Sequence, residues 1–435
     1  MAQRYALVHQ SMLRHEKFHK KPITYKGTDD FGNEDDCHTL TPIESLLGKS
    51  NCDLITVLGI LVQVEEGKFY LEDTTGRVRV TFADALAMDD TYITENSILI
   101  VEAIFEDGIL KVETVGGPLV EERQRTMQRL QQQVRHPYFL PCSSQFERDA
   151  TFVVLSEVHL DQPRVLIMLE NLFNRYEKRK PADLPVFCFM GNFSSTCQTQ
   201  TKEGWEDLAT ILGKFKSLKD NAHFVFVPGP NDTKSCVLPQ VPVNQETLGL
   251  QRTMQTHQIP NAHWGSNPCR ILQNGKEMVL FRHDALSWIL QNEIRLEQNE
   301  PDDEMVDSPD DEMVDSREVT PHSKMARTIL QQGHLMPVVN APIFWNYDHA
   351  LRLYPLPDAL ILGGSGEEEE IFGGCSIIHP GTFSKNGTFI EYSPGFDELA
   401  EDDDHERMNI DSAKPKPEKR VAFFEVKDSD EKDGT

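Results

Sequence analysis

The chain has 435 residues and a formal net charge of -27, long enough for two or three domains with a substantial core. Its acidity argues against tight, nonspecific duplex binding, which depends on Lys and Arg displacing counterions from phosphates, although much of the charge is expected in disordered segments. Its eight cysteines include no Cys-x-x-Cys pair and no zinc-type Cys/His spacing, which predicts reduced thiols in an intracellular protein. No apolar run approaches the ~20 residues a bilayer demands, and Arg4, His9 and Arg14 interrupt the N-terminus where a signal peptide has its apolar stretch. A soluble protein without membrane contact is expected.

Residues 1–21 are rich in helix formers, and Tyr5, Val8, Met12 and Leu13 recur at helical spacing, which predicts a short amphipathic helix before a polar loop. From residue 53 the pattern turns to β. Strands are predicted over residues 54–62, 68–73, 77–82, 97–105 and 109–115, with turns at Thr74-Thr75-Gly76 and Asp107-Gly108. Gly59 falls where a small barrel would bend its first strand. Five strands with a connection at residues 83–95 outline an OB-fold. Such barrels bind single strands through aromatic residues in a basic groove. Here only Lys68, Arg77, Arg79 and Lys111 lie among many carboxylates, so contact with protein is favoured over nucleic acid.

A Gln- and Arg-rich stretch at residues 121–134 reads as a connecting helix. Strands at residues 151–155, 186–190 and 224–227 then alternate with helices at 163–176 and 205–216, which predicts a mostly parallel, covered sheet. Apolar runs at 278–281, 359–362, 376–378 and 388–392 add strands. The expected class is therefore α+β and α/β in several domains. Residues 301–308 and 309–316 are the same acidic octad, Pro-Asp-Asp-Glu-Met-Val-Asp-Ser, and read as a solvated insertion. Beyond residue 397 the chain is charge-rich and without aromatic residues until Phe423 and Phe424, and reads as a disordered tail. A basic run at residues 414–420, interrupted by Glu418, is only a weak localisation signal.

The chemistry is tested at the strand ends, where sheet enzymes keep their reactive groups. The strand at 224–227 runs into Pro228-Gly229-Pro230-Asn231-Asp232. Others run into Glu157-Val158-His159, Gly191-Asn192 and Gly363-Gly364-Ser365-Gly366. A two-metal phosphoesterase of the calcineurin type carries Asp-x-His, Gly-Asp, Gly-Asn-His-Asp/Glu and Gly-His-x-His at such ends, holding cations roughly 3.5–4 Å apart. Against that pattern His159 is kept, but Glu157 replaces the first Asp and Asn192 replaces the bridging carboxylate. Pro230 and Asn231 replace the ligand Asn and the His, while Gly364 and Gly366 replace the last two imidazoles. A neutral amide bridges divalent cations poorly, and glycine has no side-chain donor. No catalytic residue, cofactor or bound metal is expected, and Glu157, His159 and Asp232 would hold one cation at most weakly. His334 and His379 read as structural or surface residues rather than recruited ligands.

In this order, the motifs resemble the B-subunits of eukaryotic replicative DNA polymerases, and within that family the epsilon type. The likeness is carried by Gln3-Arg4-Tyr5, Arg14-His15-Glu16-Lys17-Phe18, Glu66-Gly67-Lys68-Phe69-Tyr70-Leu71-Glu72-Asp73, Met190-Gly191-Asn192-Phe193 and Phe226-Val227-Pro228-Gly229-Pro230-Asn231-Asp232. Further along it includes Asn267-Pro268-Cys269-Arg270-Ile271, Thr328 to Leu335, and Leu353-Tyr354-Pro355-Leu356-Pro357-Asp358. The resemblance implies an OB-fold barrel joined to an inactivated, calcineurin-like phosphoesterase domain with two layered sheets. The corresponding map is an N-terminal helix and loop (1–40), OB-fold (41–118), linker helix (119–148), inactive phosphoesterase domain (149–396, acidic insertion 296–320) and disordered acidic tail (397–435). It implies a nuclear, noncatalytic scaffold subunit of the DNA polymerase epsilon holoenzyme that binds the C-terminal region of the catalytic subunit. Small histone-fold subunits would be reached through the holoenzyme, and DNA indirectly. Contact with the replicative helicase is also implied, made in the family through a small N-terminal helical domain that precedes the point at which this sequence starts. Two competing readings are a phosphoesterase or nuclease with recruited ligands, and an OB-type single-stranded DNA binder.

Overall fold

The computed structural model describes residues 2–18, 38–46, 48, 51–133, 151–196, 202–233, 236–273, 275–296, 319–395 and 420–427. The acidic octads, most of the 296–320 insertion, residues 134–148 of the linker and residues 397–419 of the tail lie outside them. The chain divides into two units.

The first unit begins with α1 (Ala2–Arg14). The predicted helical stripe places Tyr5 and Met12 in a buried cluster with Leu58, Ile60, Ile98 and Ile100, with Val8 packed against it. The Tyr5 hydroxyl donates to the Leu58 carbonyl at 3.0 Å. Leu13, counted with the stripe, is exposed. Six strands follow: β1 (Asn51–Glu65), β2 (Lys68–Glu72), β3 (Arg77–Thr81), β4 (Leu86–Ala87), β5 (Ile98–Glu106) and β6 (Ile109–Gly116). Their order is β3-β2-β1-β5-β6-β4, and a parallel pairing of β3 with β6 closes the sheet into a barrel. The interior holds Val57, Leu61, Leu71, Val101, Leu110 and Val115. At Gly59 a Cβ would lie 3.1 Å from that of Leu71, so glycine lets β2 approach the long first strand. Asp107 and Gly108 both have positive φ, as a two-residue type I′ hairpin requires. The helix α2 (Arg123–Gln133) follows.

The elements then run β7 (Phe152–Ser156), α3 (Pro163–Glu177), β8 (Val186–Met190), α4 (Lys202–Lys214), α5 (Lys216–Asn221) and β9 (His223–Val227). Next come α6 (Gln245–Leu248), α7 (Leu250–Thr256), β10 (Ala262–Trp264), β11 (Cys269–Gln273), β12 (Lys276–Arg282), α8 (Ala285–Gln291) and α9 (Pro321–Gln331). The series ends with β13 (Ala359–Gly363), β14 (Glu367–Phe372), β15 (Cys375–Pro380), α10 (Phe383–Asn386), β16 (Thr388–Ser393) and β17 (Arg420–Glu425).

The second unit has two sheets, ordered β10-β9-β8-β7-β16-β17 and β11-β12-β13-β15-β14. Residues alternate between two cores, as strands covered on both faces must. Val153, Leu155, Phe187 and Phe224 face a cluster with α3 and α4, while Phe152, Val154, Cys188 and Met190 join Met278, Leu280 and Ile361 of the other sheet. The two-layered arrangement expected above is therefore present.

The strands on which a parallel sheet was expected, β7, β8 and β9, pair parallel, and β16, β17, β11 and β14 add antiparallel pairings toward the sheet edges. Two expectations are corrected. The expected domain spanning residues 149–396 is not one unit: 285–341 and 352–356 group with the barrel. The cause is α9, which buries Met325, Ile329 and Leu330, while the Gln332 side-chain amide pairs in both directions with the Ile98 backbone at 2.7 and 2.9 Å. The 397–435 tail is not disordered throughout, since Arg420–Glu425 forms a strand on β16. Phe424 stacks on Phe389 with centroids 5.3 Å apart, and that apolar contact anchors the segment. Among the described residues no helix is long and apolar enough to cross a membrane.

Candidate functional site

Because β7, β8 and β9 are parallel neighbours in register, their C-terminal ends deliver Glu157, Asn192, Asn231 and Asp232 to one place. Two glycines let the loops touch. A Cβ on Gly191 would strike Asp232 Oδ2, and one on Gly229 would lie 2.6 Å from Asn192 Oδ1.

Glu157 is the hub. It is 9 % exposed and takes φ +59°, which turns its side chain into the site. Oε2 meets His159 Nε2 at 2.9 Å. Asn192 Nδ2 donates to both carboxylate oxygens at 3.2 and 3.3 Å. Arg282, at the end of β12, donates to Oε1 through Nε at 2.5 Å and also through Nη2. Burial would push the Glu157 carboxyl up, but the hydrogen bond from His159 and the Arg282 charge outweigh it and hold it down at about 2.

The remaining donors are also engaged. Asn192 Oδ1 accepts from the Asn231 backbone at 2.9 Å, which fixes the amide with its nitrogen toward Glu157. Asp232 accepts the Phe193 N–H on Oδ1 and the Gly229 N–H on Oδ2, each at 2.7 Å. Its carboxylate thus serves the backbone of its own turn. Gly364 and Gly366 follow β13 with φ +150° and +113°, a region that disfavours any ligating side chain.

A two-metal centre needs free carboxylate and imidazole lone pairs from several strand ends. Glu157 here binds a guanidinium, and the nitrogen rather than the oxygen of Asn192 points inward. These donors do not fit such a centre. Among the described residues no group of three His, Cys, Asp or Glu could hold a metal ion. His334 lies in the first unit, where its Nδ1 accepts the Met336 N–H at 3.1 Å. His379 is buried in β15 opposite Glu368.

Glu157, His159, Asn192, Asn231 and Asp232, all singled out from the sequence, do come together. Arg282 was missed, as were the residues that set it. Asn267 accepts the Arg282 N–H at 3.0 Å and donates to the Arg282 carbonyl at 2.7 Å. Gln240 in turn links Asn267, at 2.7 Å, to the Gly229 carbonyl, at 3.3 Å. The available signal was Arg282-His283-Asp284 directly after the apolar run at residues 278–281, a strand end of the same kind as the others.

A family model for the B-subunit of DNA polymerases alpha and epsilon matches residues 152–370, from β7 into β14, and so contains every one of these strand ends. The chain belongs to that family. A second model, the OB-fold domain of DNA polymerase epsilon subunit 2-like proteins, matches residues 1–119 of this B-subunit family member. The B-subunit of DNA polymerase epsilon from Arabidopsis thaliana is 31 % identical over 91 % of this chain and 74 % of its own length. Human DNA polymerase epsilon subunit 2 is 32 % identical over 88 % of this chain and 71 % of its own. A solved archaeal phosphodiesterase aligns with 63 % of this chain and 99 % of its own at 12 % identity, with a TM-score of 0.28, too slight a likeness to carry an argument.

Proposed function

We propose that this chain is a noncatalytic accessory subunit of a DNA polymerase epsilon holoenzyme in the nucleus, acting in chromosomal replication. It holds the C-terminal region of the catalytic subunit, reaches histone-fold subunits and the replicative helicase through the assembly, and meets DNA only indirectly. Beside the relationship to epsilon B-subunits, the observation that carries this reading is the closed hydrogen-bond network around Glu157. A nucleophile-activating centre keeps open coordination positions; here each donor already serves a neighbour. The inactivated, calcineurin-like character of the two-sheet unit is part of the same reading.

The barrel gives little support to single-strand binding. Phe69, a residue that would have to stack on a base, packs edge-on against Phe82 at 6.4 Å and against the barrel core. The deciding experiment is co-expression with the C-terminal region of the catalytic subunit. The expected result is a complex that survives size exclusion; separate elution, or manganese-dependent diesterase activity abolished by His159→Ala, would overturn the proposal.

A further inference from the structure

The strand ends of the second unit have their own positive charge. We propose that Arg282 is the resident cation of this site, its guanidinium standing in the charge position that a calcineurin-type phosphoesterase gives to a metal ion. This goes beyond the accessory role, because it concerns what the site contains whether or not a partner is bound.

Three features place the arginine there. Its side chain is almost wholly buried, with the residue 4 % exposed, and it is ion-paired to Glu157 Oε1 and, through Nη1, to Asp284 at 2.9 Å. Asn267 clasps its backbone from both sides. Finally, Gly363 on β13 clears the path of its stem: a Cβ there would lie 2.9 Å from Arg282 Cδ and 2.7 Å from Ser156 Oγ. A glycine that makes room, a side chain that fixes the backbone and a carboxylate that receives the charge come from three separate segments.

The chemistry explains why a guanidinium suits this role. Glu157 is a buried carboxylate, and removing its counter-charge would leave an uncompensated ion. A divalent ion dissociates when its concentration falls, whereas a guanidinium is covalently attached and always charged, with a planar fork that matches a carboxylate. The strand ends therefore keep their geometry independently of metal supply, and any incoming cation must displace a tethered one.

The test is thermal unfolding of the full chain with and without millimolar manganese, for wild type, Arg282→Lys, Arg282→Gln and Arg282→Gln/Glu157→Gln. Wild type and Arg282→Lys should ignore manganese. Arg282→Gln should melt on the order of 10 °C lower and regain at least ~3 °C with manganese, which can then neutralise the Glu157 carboxylate once its guanidinium is gone, with the His159 imidazole beside it. The double variant should recover most of the loss without metal and show no response to it. Arg282→Gln melting within ~2 °C of wild type, or failing to respond to manganese, overturns the proposal, as does a wild type that gains as much as the variant. If Arg282→Gln does not fold alone, soluble yield restored by manganese in the medium and by Glu157→Gln supports it; yield restored by neither defeats it. Failure to bind the catalytic subunit would leave this pattern unchanged.

Discussion

A methyl group on Gly229 would lie 2.6 Å from Asn192 Oδ1 and 2.8 Å from the Asn192 nitrogen, and the backbone partner cannot retreat. Gly229→Ala should therefore lower stability by about 2–3 kcal/mol in urea unfolding, at the severe end for an overpacked site. Gly213, near the end of α4, offers the contrast, since a Cβ there meets only His257 at an ordinary 3.4 Å. Gly213→Ala should be neutral or stabilising by up to about 1 kcal/mol. His283 supplies a pH dependence. Burial pushes its pKa down to about 4, beside the stacked ring of Phe281. Below its ordinary value of about 6.5 the unfolded chain binds a proton that the folded chain refuses. Stability thus falls as pH drops from about 6.5 to about 4. Between about pH 7 and pH 5 this should cost on the order of 2 kcal/mol, and His283→Phe should flatten that limb. Glu157, held at about 2, contributes stability that is complete above the ordinary carboxylate range and is lost only in the more acid window below it, so the two residues can be separated by pH alone.

At the level of elements, β17 makes a clear prediction. Phe424 stacks on Phe389 under the Arg175 guanidinium, which lies 4.3 Å from its ring centroid. Phe424→Ala should lower the unfolding free energy by about 1–3 kcal/mol, while Phe423→Ala, at a position 40 % exposed, should change it by no more than about 0.5 kcal/mol. The legibility of strands in the sequence follows from the same physics. β7, β8 and β9 are covered on both faces and read as continuous apolar runs. β17 is a four-residue apolar island in charged surroundings, and only its pairing with β16 makes it a strand. β14 carries Glu367, Glu368, Glu369 and Glu370, alternately exposed and half-buried, so identical residues hide the period. Its charge suits a sheet edge that must not recruit another strand. At the site, Asn192, Asn231 and Asp232 were legible because they sit at strand ends beside glycines. Arg282 was not, because its partner Glu157 is 125 positions away in sequence.

For the whole molecule, net charge and barrel packing point the same way. A chain at -27 with Phe69 packed into its barrel should show no salt-sensitive binding to a labelled single-stranded oligonucleotide in fluorescence anisotropy. Phe69→Ala should lower the melting temperature without altering that anisotropy; salt-sensitive binding weakened by the substitution would instead make the barrel a DNA surface.

The first sheet also fixes the order in which this protein can be completed during synthesis. β7 pairs with β16, and the Thr151 and Ser393 hydroxyls at that seam lie 3.3 Å apart although they are 242 positions apart in sequence. A nascent chain therefore carries β7 with one unpaired backbone edge while the sequence from residue 157 to residue 387 is made. That edge closes only once β16 has emerged, and β17 then covers the outer edge of β16. Over that interval the chain offers chaperones a strand to shield, and variants that weaken the seam would be removed by quality control before an assembly could form.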